Sequence, residues 1–146
     1  MFEIKPEESG LNSEQQVSKE DQFLQAVELS HDDVQRIESL TKGFEGEAET
    51  KGETFNFEEK ILENPSLLGF MLIVGSGDQI TIDRKIELMI TLQNISIDTI
   101  KWEGYKANYY AESHQLPYGL ELDGRKEREE RIQKHESIIE KLEQIK

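Results

Sequence analysis

The chain has 146 residues, 35% of them apolar and a third charged, which leaves room for one modest core and predicts a single folded body of about 90–110 residues. Its net charge of −14 repels nucleic-acid phosphate and anionic membrane, so direct binding to either is not expected and a basic protein is the favoured kind of partner. There is no cysteine, which removes disulfides, thiolate nucleophiles and Cys-bound zinc.

The acidity is unevenly spread. Residues 1–64 carry 17 acidic and 6 basic side chains, residues 65–122 carry 7 and 4, and residues 123–146 carry 7 of each. Met1 leads into an acidic stretch without the basic and apolar regions of a signal peptide. The longest unbroken apolar run, residues 70–74, is far too short to span a bilayer. A cytoplasmic protein is the expectation.

Residues 1–17, rich in Glu, Ser and Gln, read as a flexible acidic arm ahead of a single domain over residues 18–146. Phe23, Val27, Val34, Ile37 and Leu40 then recur at helical spacing, and Ser30 with Asp33 forms a capping box. Two short helices or one bent helix fit this pattern. Residues 43–54 hold three glycines and four glutamates and read as a linker. Asn56 and Glu59 cap a two-turn helix that Pro65 stops.

The apolar residues concentrate in residues 67–102, where they make up eighteen of thirty-six. This stretch predicts a small antiparallel sheet and hence an α+β fold. Leu67–Val74 reads as a buried strand, residues 75–78 as a hairpin loop, and Ile80-Thr81-Ile82 as the β-branched start of the return. The alternative is a helix capped at Asn64-Pro65 and running through Val74, with Gly75 as its end, which would make the fold mostly α. Ile86, Leu88, Ile90 and Leu92 alternate with Glu87, Met89, Thr91 and Gln93, the period of a strand with one buried face. Asn94 is a candidate turn, and Ile95, Ile97, Ile100 and Trp102 suggest a further strand with a bulge. A helical reading of Ile86–Ile95 also exists, with Ile86, Met89 and Ile90 on one side. Residues 124–145 lack Pro and Gly after Gly124, are dominated by helix formers, and predict a C-terminal helix packed on the sheet.

No cofactor or metal site is expected. The loop at residues 75–78 lacks the pattern of a phosphate-binding turn, and His31-Asp32-Asp33 is explained by capping. No serine has a nucleophile context, and the many carboxylates sit in hydrophilic sequence, so an enzyme is not expected. Two groups remain as candidate partner-binding residues. One is the aromatic cluster Trp102, Tyr105, Tyr109, Tyr110 and Tyr118, residue types enriched at hot spots, which would otherwise cap the end of the sheet. The other is the acidic run Glu45, Glu47 and Glu49.

Ile132, Ile139 and Leu142 form a stripe suited either to packing on the sheet or to self-association into an oligomer. Together these features predict a non-enzymatic, acidic protein-interaction module that binds a basic partner. Inhibitors, immunity-type proteins and nucleic-acid mimics work by the same physics, an analogy of composition only. The alternative is a structural or assembly protein of a phage-like particle, with an arm that orders on its neighbours and a self-associating helix.

Overall fold

The computed structural model describes residues 17–114 and 118–146, and side chains within these except at 110–123. The described residues form helices α1 (Lys19–Ala26), α2 (His31–Thr50), α3 (Phe57–Glu63), α4 (Leu67–Val74), α5 (Ile82–His114) and α6 (Tyr118–Ile145), with a 3-10 turn at Gly77–Gln79. No strand occurs among them, so the expected α+β fold with a sheet over residues 67–102 is overturned: the protein is all-helical. The flexible arm expected at residues 1–17 lies almost wholly outside the described residues.

Caps set the first two helices. Ser18 Oγ accepts from the Asp21 backbone N–H at the start of α1. The α1 end is a Schellman motif, with Leu29 N donating to Leu24 O and Glu28 N to Gln25 O. This motif puts Glu28 at φ +60°, a left-handed conformation that normally selects glycine. At Ser30 the capping box is complete: Ser30 Oγ accepts from Asp33 N at 3.1 Å and Asp33 Oδ2 accepts from Ser30 N at 3.0 Å. The bond from the Ser30 backbone N–H, and secondarily the Ser30 hydroxyl, holds the Asp33 carboxyl below its usual range.

The linker expected at residues 43–54 begins later, since α2 runs on through Gly43 and Gly46 to Thr50. Asn56 Oδ1 accepts from Glu59 N and starts α3.

Helix α4 explains the largest error. Its sequence, LLGFMLIV, has no polar side to distinguish a strand from a helix, and the structure places it against α2, α3 and α5. Leu72, Ile73 and Val74 are buried, each burial stabilising by roughly 1.5–3 kcal/mol. Two close approaches surround it. A Cβ on Gly69 would run into the Asn64 carbonyl, and one on Gly75 would run into Thr41 of α2. Gly75 is therefore a helix end and a contact point for α2, not the first residue of a hairpin loop.

The alternation at Ile86, Leu88, Ile90 and Leu92 also lies within a helix. Ile86 and Ile90 share one face of α5, Leu88 and Leu92 share another, and Met89 is buried too. Such a helix is stable only when sandwiched, and α5 packs against α1, α4 and α6. The polar residues reveal the true period: Glu87, Thr91, Asn94 and Asp98 are spaced 4, 3 and 4 and lie on the outward side. Asn94 is mid-helix rather than a turn, and Ile95, Ile97, Ile100 and Trp102 continue α5 instead of forming a strand. Gly104 is crossed by α5 without a break, and the Arg128 side chain of α6 lies against it.

Helix α6 returns antiparallel along α5. Glu103 pairs with Arg131 at 3.3 Å, and Gln93 with His135, so positions advance on one helix as they recede on the other. Near its end Leu142 is fully buried, and Ile138, Ile139 and Ile145 pack on the same core as Phe23, Ile61 and Ile73. Two ion pairs tie the start of α5 to the body, Lys19–Asp83 at 2.6 Å and Arg84–Glu58.

Candidate functional site

Helix α5 is 33 residues long, about 50 Å at the usual rise. The central core cluster takes residues from it only as far as Leu92. Beyond that, Ile97 and Ile100 are the buried apolar residues described on α5, and both lie along the α5–α6 hairpin. The outer half of the hairpin is thus an arm held by its own two helices.

The arm carries the most exposed aromatic surface described in the protein. Trp102, Tyr105 and Tyr109 are 59%, 65% and 74% exposed. Their spacing of three and four residues puts them on one face of α5. Trp102 and Tyr105 meet edge to face, with ring centroids 6.4 Å apart and planes at 75°. Lys106 Nζ lies 5.9 Å from the centroid of the Trp102 ring. The arrangement is a stacked, amphipathic stripe with a cation over its largest ring. The expectation that these residues cap the end of a sheet falls with the sheet. The side chains of Tyr110 and Tyr118 lie outside the described residues.

The candidate glutamates are elsewhere. Glu45, Glu47 and Glu49 occupy the last two turns of α2, the negative end of its dipole, with Lys51 following at the C-cap. Glu47 borders a cleft of about 220 Å³ lined by Phe44, Ala48, Phe55 and Leu68. Earlier on α2, Glu38 faces Lys85 at the start of α5 across a cleft that also holds Glu20, Asp21, His31 and Asp78. Burial lowers the Lys85 pKa, and the carboxylates of Glu20, Glu38 and Asp78 draw it partly back. From Lys85 to Trp102 is seventeen residues of helix, about 25 Å. Acidic and aromatic candidates lie on different helices, α2 and α5.

The stripe proposed for self-association is used within the chain. Leu142 is fully buried and Ile139 packs on the core, while Ile132 lies beside Ile100, Gly104 and Tyr105 in the arm. Sequence reasoning passed over the polar pair between the helices. His135 Nδ1 and Gln93 Oε1 are 2.6 Å apart, and Gln93 Nε2 lies 3.6 Å from Met89 Sδ. The amide oxygen accepts, so His135 donates from Nδ1. His135, three residues after Ile132 and four before Ile139 in an otherwise apolar stripe, is the signal the sequence offers.

Among the described residues no group of three or more His, Asp or Glu side chains is arranged to hold a metal ion. No described helix is long and apolar enough to cross a membrane. No protein-family model matches the chain, and neither a curated protein nor a solved structure matches it.

Proposed function

We propose that this protein is a non-enzymatic interaction module that grips a basic protein partner through the aromatic face of its helical arm, while the acidic body steers the encounter. The observation that carries this reading is the exposed row Trp102, Tyr105 and Tyr109 on a hairpin that projects past the core. Large rigid side chains lose little entropy on binding and bury much area, which makes such a row costly to leave in water and useful at an interface. Residues 17–100, which supply most of the body, hold 17 acidic and 7 basic side chains, a field that raises the encounter rate with a cationic protein.

Affinity capture with the full chain, in low and in physiological salt, tests it. A basic partner is retained, its binding weakens as salt rises, and Trp102→Ala with Tyr105→Ala abolishes retention while circular dichroism stays unchanged. Retention that ignores both salt and the double substitution refutes the reading.

A further inference from the structure

A second surface lies at the base of the arm, on another side of α5. Val27, Pro65, Leu67, Phe70, Leu92 and Ile138 line a groove of about 590 Å³ between the small helices and the hairpin. Leu67 at its edge is 72% exposed. The polar groups in the groove are few: Glu28, Ser66, Gln93, Ser96 and His135. Glu28 is the only carboxylate among the lining residues, and no lysine or arginine lines the groove. His135 spends its Nδ1 proton on Gln93, so a neutral ring turns an acceptor, Nε2, to whatever else it meets. Burial, and secondarily Arg131, favour that neutral form. Apolar walls are thus combined with a carboxylate and an acceptor. Glu28 stands there in a left-handed conformation that glycine adopts more cheaply.

We propose that this groove receives one cationic amphipathic helix of a partner protein, whose apolar face covers Leu67, Phe70 and Ile138 and whose lysine or arginine pairs with Glu28. A groove of this size accommodates a row of about three or four apolar side chains, which is what one helix face presents at i, i+3, i+4 and i+7. Charge selects the occupant. An acidic helix meets the Glu28 carboxylate in a body already strongly negative, and a second copy of a chain at −14 meets the same repulsion. Ser96 in the groove and Trp102 on the arm stand roughly 120° apart around α5, so the groove does not depend on the aromatic face.

The test is titration of the full-length protein with a fluorescent 18-residue Leu/Lys amphipathic peptide, a Leu/Glu counterpart, and a Leu/Lys peptide of scrambled order. The first binds saturably and shifts the NMR signals of Leu67, Phe70, Ile138 and His135; the other two do not. Leu67→Ser lowers its affinity about tenfold, in line with loss of one apolar anchor. Glu28→Gly raises the thermal unfolding midpoint by relieving the left-handed glutamate, yet weakens binding several-fold and flattens its salt dependence. A carboxylate that only serves the turn would give the first effect without the second. Phe44→Ala, beside the separate cleft at the end of α2, leaves peptide affinity unchanged.

Equal binding of the Leu/Glu or scrambled peptide, indifference to Leu67→Ser, or signal shifts confined to α2 or the arm each overturn the proposal. So does a concentration-dependent dimer that Leu67→Ser dissolves, because the groove then belongs to a second copy. Loss of partner capture on Trp102→Ala/Tyr105→Ala with peptide binding intact leaves the groove standing apart from the arm. The reverse result removes the groove alone.

Discussion

The body and the arm are built from the same two long helices, yet they solve opposite problems. In the body, the inner half of α5 is enclosed by α1, α4 and α6, and apolar residues occupy nearly every direction around it: Ile86, Leu88, Met89, Ile90 and Leu92 are all buried. In the arm, α5 and α6 have only each other, so one narrow seam is apolar and the rest faces water. Trp102, Tyr105 and Tyr109 lie off that seam. Burial in the body is consumed by folding, whereas apolar surface on the arm remains available to a partner.

The contrast is broken most severely inside the body. Ile73→Ala removes a fully buried side chain from α4 and is expected to cost about 2–5 kcal/mol in urea unfolding. Gly75→Ala comes next, at about 1–3 kcal/mol, because the new methyl group meets Thr41 and Ile37 where α2 crosses α4. Thr41→Ala in the same chain should restore part of that loss; an additive double mutant would mean that α2 does not approach Gly75 so closely.

In the arm, Tyr109→Ala should change stability by less than about 0.5 kcal/mol, since the ring is largely exposed. A larger loss would show that the arm is part of the core and not a free surface.

The smallest effect sits where body and arm meet. The folded chain holds His135 below its ordinary value of 6.5, first through burial and then through Arg131. A base whose pKa is lowered by folding contributes fully above the unfolded value, and that contribution is lost as pH falls through 6.5 toward the folded value. Urea midpoints should therefore decline between pH 7.5 and 5.5 more in the wild type than in His135→Gln. Identical profiles would place the imidazole in water.

Much of this division was legible without tertiary contacts. The Ser30–Asp33 box, the Asn56 cap and the C-terminal helix follow from short-range chemistry that acts within one turn. The exposed aromatic cluster was also visible, because Trp102, Tyr105 and Tyr109 recur at helical spacing once α5 is accepted. The sheet was misread because alternation every two residues has two physical causes. A strand with one wet face produces it, and so does a helix buried on opposite sides, where Ile86–Ile90 and Leu88–Leu92 are each one turn apart. Glu87, Thr91, Asn94 and Asp98 could have separated them, since charged and amide side chains track the wet face wherever it lies. For α4 no such marker exists.

The sequence alone determined the helix caps, the acidic bias of the first half and the amphipathic last helix, all of which depend on neighbours within a few residues. Only the tertiary structure decided that Leu67–Val74 is a helix enclosed by three others, that α5 and α6 pair into an arm whose aromatic face stays exposed, and that Ile139 and Leu142 belong to the chain's own core. The physical reason is common to all three. An apolar side chain specifies that it will be covered, by roughly its area, but not what will cover it.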